Sequence, residues 1–201
     1  RFMSNKLILY NGPTSPFGRK VKVASLVQQI NIEEKIINVY EANFLDKHNP
    51  LRKIPTLIVD NLTIMDSDNI CLYFESISRK KSLYPKENYW QIMTNTSIAN
   101  GLMETILERF MEISRPEEER SLKFIEKLET RALKTINWLE KNLNNFHDKK
   151  LSIDKIAIAC ALEYTTFRYT NDWQKKNKGL NIWLTNFQKN DFMQLTKPKN
   201  S

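Results

Sequence analysis

Residues 52–70 read Arg52-Lys53-Ile54-Pro55-Thr56-Leu57-Ile58-Val59-Asp60-Asn61-Leu62-Thr63-Ile64-Met65-Asp66-Ser67-Asp68-Asn69-Ile70, and they divide into strand, tight turn, strand and helix start. Thr56–Val59 is a short β-rich run, Asp60-Asn61 is turn chemistry and Leu62–Met65 is the return strand. Pro55 stands immediately before the first strand and has no N–H to donate, so the backbone of Ile54 is left outside the sheet ladder. Asp66-Ser67 precedes the apolar pattern Ile70, Leu72-Tyr73-Phe74, Ile77, the signature of a helix N-terminus. A free main-chain edge beside the positive end of a helix suits a small anion carrying a carboxylate.

Working outward, Lys6–Asn11 is an apolar strand that the pattern predicts to be buried on both faces. Gly12–Pro16 is a turn in which Ser15 is a good N-cap and Pro16 sits at the first helical position. Val21, Val23-Ala24, Leu26-Val27 and Ile30 then recur at helical spacing, and Ile36–Tyr40 is a second strand. Strand, helix, strand implies a parallel pair, and 52–70 adds an antiparallel hairpin and a closing helix to about residue 79. This βαβ–ββα order predicts a thioredoxin-like α/β domain over residues 1–79. Residues 78–88 form a polar, proline-containing linker, and 88–201 is predicted to be an all-α domain. One long helix carries Tyr89, Ile92, Ile98, Leu102, Ile106 and Phe110. A second, starting at Pro116 with Glu117–Glu119 in its first turn, carries Leu122, Leu128, Ala132, Ile136 and Leu139. After Ser152 the run Ile156–Leu162 is almost wholly apolar and should be the buried central helix, and a fourth runs from Leu180 to Gln188. The basic tail from Thr196 is read as loose.

Two features carry a resemblance. Asn49-Pro50-Leu51-Arg52-Lys53-Ile54-Pro55-Thr56-Leu57, followed by Asp66-Ser67-Asp68-Asn69-Ile70, resembles the glutathione-binding signature of the glutathione S-transferase superfamily, Asn-Pro-x-Gly-x-Val-Pro-x-Leu then Glu/Asp-Ser-x-x-Ile. Arg52 replaces the usual glycine and Ile54 the usual valine. Thr14–Lys20 and Ile156–Ala161 are similar to a bacterial subgroup with Thr-Ser-Pro-Phe-x-Arg-Lys and Ile-Ala-Ile-Ala-Cys-Ala. In the family's Ser/Thr-x-x-Asp capping box, Ser152 keeps the cap expected at this helix start, while the reciprocal half departs, with Asp154 one place early and Lys155 in the fourth position.

The resemblance implies the glutathione S-transferase fold, a homodimer, and glutathione as co-substrate in detoxifying attack on a small electrophile. By it, Ser15 is the candidate catalytic residue, donating a hydrogen bond to the glutathione thiolate; a serine there also serves as a plain cap, and Thr14 is its neighbour substitute. Serine suits conjugation, whereas a cysteine would favour disulfide exchange. The implied glutathione-binding residues are Lys53, Ile54, Asp66 and Ser67. Ser67 and its amide would take the γ-glutamyl carboxylate, Asp66 the α-amino group, Ile54 (before a cis Pro55) the cysteinyl backbone and Lys53 a carboxylate, though Lys53 reads equally as a solvated lysine. The electrophile would enter between the domains against Met103 and Phe110. Arg19 is open to two roles, raising the local potential or serving as a surface or inter-domain salt-bridge residue.

Composition bounds the alternatives. The 201 residues are 41% hydrophobic with 10% aromatics, long enough and apolar enough to fold around a real core. No apolar run approaches a membrane span, and Leu7–Tyr10 is too short for the core of a signal peptide. Cys71 and Cys160, far apart in predicted helices, read as small buried hydrophobes and suit the cytoplasm. His48 and His147 are loop residues; the absence of a Cys/His cluster, a Walker loop or Gly-x-Gly-x-x-Gly leaves metal and nucleotide readings unsupported. The net charge of +8 comes from scattered lysines without aromatic interleaving, so nucleic acid is an unlikely partner. A rival reading is a non-catalytic transferase-fold protein that binds another protein, as the stringent starvation proteins do on RNA polymerase. That group's Pro-His-Pro turn is replaced here by Ser78–Ser82. Glutathione-dependent isomerisation or disulfide reduction is a further enzymatic reading.

Overall fold

The hairpin expected from residues 56–65 is β3 (Thr56–Val59) and β4 (Leu62–Met65) in the computed structural model, which describes residues 6–148 and 150–198. Asp60 supplies the left-handed φ of 51° in the turn between them. β1 (Leu7–Asn11) lies antiparallel to β3 with Leu9 opposite Leu57 and Tyr10 opposite Thr56. α1 (Pro16–Val27) leads to β2 (Glu33–Ile36), which runs parallel to β1. The sheet order is β2-β1-β3-β4, and α2 (Ser67–Ile77) follows β4. Leu9, Leu57 and Val59 of the sheet are buried, as are Val21, Val23 and Ala24 of α1 and Ile70, Cys71 and Phe74 of α2. This is the thioredoxin-like arrangement.

Two expectations shift here. β1 alternates buried and half-buried residues rather than being covered on both faces. The second strand falls at Glu33–Ile36 instead of Ile36–Tyr40 because charge holds it there. Asn11 Nδ2 donates to Glu34 Oε1 at 2.9 Å, Lys22 pairs with Glu34 at 2.5 Å and Lys6 with Glu33 at 2.8 Å. A charged edge strand results, and Ile36 is left 54% exposed.

The chain resolves into two compact units, one reaching to Leu83 and taking in the chain from Phe192 onward, the other Tyr84–Asp191. The last residues of the stretch read as helical domain therefore pack with the first unit. The link is Arg19, buried on α1, whose guanidinium donates to Met193 O at 3.1 Å and to Thr196 Oγ1 at 3.3 Å. Thr196 is itself buried, so the tail is tied down at that point.

The second unit contains α3 (Tyr89–Ile113), α4 (Leu122–Lys141), α5 (Ile153–Arg168), α6 (Trp173–Lys176) and α7 (Lys178–Phe187), and α8 (Asp191–Leu195) starts at its end. Every residue from Ile156 to Leu162 is buried, making α5 the central helix. α3 and α4 pack on each other and α3 packs on α5, with Leu102, Met103, Ile106, Leu128, Ala132 and Ile136 fully buried. α4 begins at Leu122 under a Ser121 cap, and Glu117–Glu119 forms a separate 3-10 turn after Pro116. The cap expected from Ser152 is not made by its side chain. Its hydroxyl instead donates to Asp154 Oδ1 at 2.5 Å, and Asp154 Oδ2 accepts from Asn95 Nδ2 at 2.8 Å. Lys155, also buried, turns its ammonium to the Asp148 carboxylate and the Lys150 carbonyl.

Candidate functional site at one end of the sheet

Strand register gathers the candidate residues of the first unit. Tyr10 of β1 faces Thr56 of β3, and Thr56 faces Met65 of β4, so these three form one row across neighbouring strands. With strands about 4.8 Å apart, the segments leaving or entering that row share one end of the sheet. They are the β1–α1 turn with Ser15, the residues before β3 with Lys53 and Ile54, and the β4–α2 junction with Asp66 and Ser67. A direct contact supports this. A Cβ placed on Gly12 would lie 2.5 Å from Ile54 Cδ1 and 4.0 Å from Ser15 Cβ, so the Ile54 side chain presses on the backbone of the serine-bearing turn.

Ser15 caps α1 as its sequence predicts, its Oγ accepting from Gly18 N at 3.1 Å, with Pro16 at the start of the helix. It is half-buried, and its hydroxyl proton has no acceptor among the described residues. The turn is held by Asn11, whose buried amide accepts from Gly12 N at 2.9 Å and donates to Glu34. A Cβ at Gly18 would lie 1.6 Å from Asn11 Oδ1, so only glycine fits there.

The Ile54–Pro55 bond is cis, as the resemblance implied. Among the described residues the Ile54 main chain forms no hydrogen bond. The loop before it is braced by Asn49, 1% exposed, whose Nδ2 donates to Lys53 O at 3.0 Å and to Thr56 Oγ1 at 2.9 Å. Arg52 occupies the place of the family glycine with φ 47°, the left-handed conformation glycine adopts freely. Its amide donates to Asn49 O at 2.9 Å and its guanidinium grips Asp46 through contacts of 2.7 and 2.5 Å. The hydrogen bond from Arg52, with its charge, holds the Asp46 carboxyl below the ordinary carboxylate range. Lys53 is exposed, with no ion pair among the described residues.

At the start of α2, Asp66 is exposed, has φ 73°, and caps the helix by accepting from Asp68 N at 2.8 Å. Ser67 is only 5% exposed and its hydroxyl engages no partner among the described residues. The next residue, Asp68, forms an ion pair with Lys20 of α1, which is fully buried. That pair ties the second turn of α1 to the first turn of α2. Lys20, Asn11 and Gly18 were not singled out from the sequence. Lys20 had a signal, since it lies three and four residues before Val23 and Ala24 on the apolar face of α1, where a lysine requires a buried anion. In the other unit Met103 is fully buried and offers no surface to a ligand, against the expectation for it. Phe110 is half-buried with the Arg168 guanidinium 4.2 Å over its ring.

These features define the class: the fold is that of the glutathione S-transferases. Residues 9–82 match the family model for the glutathione S-transferase N-terminal domain. A glutathione S-transferase from Methylobacillus flagellatus KT, solved with GSH bound, has a TM-score of 0.91 at 25% identity, covering 96% of this chain and 100% of that one. A glutathione transferase family member from Pseudomonas fluorescens Pf-5, solved with bound glutathione, has a TM-score of 0.90 at 25% identity, covering 97% and 100%. A glutathione S-transferase from Methylobacterium radiotolerans JCM 2831, in complex with glutathione sulfonate, shares the fold at 18% identity with a TM-score of 0.90, covering 98% and 96%. A search of curated proteins gives no match. Among the described residues no helix is long and apolar enough to cross a membrane.

Proposed function

We propose that this chain binds glutathione at the β1/β3/β4 end of the sheet and activates its thiol for attack on a small electrophile, as a cytoplasmic, homodimeric detoxifying transferase of the Thr-Ser-Pro-Phe-x-Arg-Lys subgroup. The observation that carries the reading is a set of three groups at one sheet end without partners among the described residues: the Ser15 hydroxyl proton, the Ile54 main chain and the Ser67 hydroxyl. Bound glutathione in two relatives at 25% identity supports the same reading.

In this scheme Ser67, through its hydroxyl and amide at the positive end of α2, holds the γ-glutamyl carboxylate. Asp66 meets the α-amino group. Ile54 pairs its main chain with the cysteinyl residue, and exposed Lys53 reaches a carboxylate. The sulfur then lies against the start of α1, where Ser15 donates to it. A hydrogen bond to the anionic form lowers a thiol's pKa and raises the thiolate fraction. The proton goes to water, the sulfur forms a bond to the electrophilic carbon, and in a substitution the leaving group departs with its electron pair. No general base is required, because the thiolate is already present when the electrophile arrives.

Titration calorimetry with glutathione tests the binding half. Ser67→Ala should weaken affinity by about 1–3 kcal/mol, the size of a hydrogen bond to a charged group. Wild-type protein giving no heat and no thermal protection at millimolar glutathione would leave the fold with a protein-binding role instead.

A further inference from the structure

Lys20 has no exposed surface, although lysine is among the residues least often buried. α1 packs against α2, and there the Lys20 ammonium is paired with the Asp68 carboxylate, whose side chain keeps 32% of its surface in solvent. An acid in the first turn of a helix is favoured by the dipole wherever it occurs. A fully buried lysine reaching for it from another helix is not ordinary. Replacing such a pair by apolar side chains of similar size is often neutral or stabilising, so stability gives little reason for a lysine here. What the pair fixes is position. Lys20 stands five residues after Ser15, about 7.5 Å along the axis of α1, and Asp68 directly follows Ser67. The neighbouring Arg19, also buried, donates to Met193 O and Thr196 Oγ1, so the same turn of α1 is fastened to the C-terminal segment as well. Asn11 holds the chain just ahead of Ser15 through Gly12 N and Glu34. The start of α1 is thus braced at several points, and Lys20 is the one that reaches α2.

We propose that Lys20 is a positioning residue for glutathione, an inference that rests on the glutathione-binding reading: through Asp68 it fixes the start of α2 against α1, so that Ser67 and Ser15 reach the two ends of one tripeptide at once. Lys20 touches neither the sulfur nor a ligand carboxylate in this scheme, and its effect is made wholly through Asp68. A ligand held at two points is sensitive to their separation, and a misplacement of about 1 Å can cost on the order of a hundredfold in rate. Removing Lys20 cuts the tie from the side of α1. Removing the Asp68 charge cuts it from the side of α2, and takes from the buried ammonium the anion that holds it there.

The test is calorimetry with glutathione, together with ultraviolet titration of the bound thiol, on wild type, Lys20→Met, Asp68→Asn, the double variant and Lys20→Arg. Lys20→Met and Asp68→Asn should each weaken affinity by about tenfold and bring the bound thiol's pKa closer to that of free glutathione. The double variant should bind no more weakly than the poorer single, the mark of two residues acting as one unit. Lys20→Arg, which keeps a charged donor, should stay within about threefold of wild type. Lys6→Gln, which cuts an exposed ion pair with Glu33 at the other end of β1, should change neither reading. Asp68 is partly exposed, so Asp68→Asn supplies the folded variant should Lys20→Met fail to fold. Variants that lose stability in urea yet keep wild-type affinity and thiol titration would overturn the proposal and leave the pair a structural one. Additive losses in the double variant would also overturn it, as would tighter binding by Asp68→Asn, the result expected if that carboxylate only repels the ligand. Wild type that binds no glutathione would overturn the glutathione-binding reading and this proposal together; wild type that binds, with every variant binding alike, would overturn this proposal alone.

Discussion

Arg52 is the residue at which this chain departs most from the signature it otherwise follows, and its backbone shows the consequence. A side chain at φ 47° costs about 1–2 kcal/mol relative to an ordinary conformation. Its grip on Asp46 is exposed on both sides and screened by solvent, so it offsets little of that cost. Arg52→Gly should therefore leave stability within about 1 kcal/mol of wild type, while Arg52→Ala, keeping the φ and losing the ion pair, should fall below the glycine variant by about 1 kcal/mol. Urea unfolding ranks the three; alanine equal to or above glycine would contradict the strain. Gly18 makes a sharper case. An alanine there must expel the Asn11 amide and break its bonds to Gly12 and Glu34, so Gly18→Ala should cost about 2–4 kcal/mol in the same assay. The signature residues Ile54, Asp66 and Ser67 were legible because their spacing is read along the chain. Asn11, Gly18 and Lys20 were not, since each is defined by an atom of another element: Asn11 against Gly18, Lys20 against Asp68.

At the scale of elements, period and turn chemistry located the hairpin, α1, α2 and the buried α5, where local preference and tertiary demand agree. They failed where charge overrode hydropathy. β2 follows its ion pairs at Glu33 and Glu34 rather than the Ile36-Ile37 run. The start of α5 departs from the expected cap for a related reason, since Ser152 turns to Asp154 while Lys155 takes the Asp148 carboxylate and the Lys150 carbonyl. The hydrogen bond from Lys155, the largest influence, holds the Asp148 carboxyl below the ordinary carboxylate range. A depressed carboxyl contributes stability in full above its unfolded pKa and loses it as pH falls through the folded value. Wild type and Asp148→Asn should therefore differ in Tm at neutral pH and converge below about pH 4. A Tm difference that does not change with pH would remove the ion pair from the account.

For the whole molecule, the sheet-end site belongs to the first unit, and the cationic residues of α4 belong to the second. The net charge of +8 looked diffuse along the sequence because the stripe on α4 emerges only when residues 123, 127, 131 and 134 are wound onto one helical face. The tie between Arg19 and the C-terminal segment was hidden for the same reason, its partners lying 174 and 177 residues away. The central claim is chemical: an anion held between the Ile54 main chain and the start of α2 presents its sulfur to Ser15. The ultraviolet thiolate absorbance of protein-bound glutathione, titrated against pH, measures this directly. Wild type should show a thiol pKa below that of free glutathione, and Ser15→Ala should raise it by about one unit or more with affinity nearly unchanged. A bound thiol that titrates identically in both proteins would contradict the account.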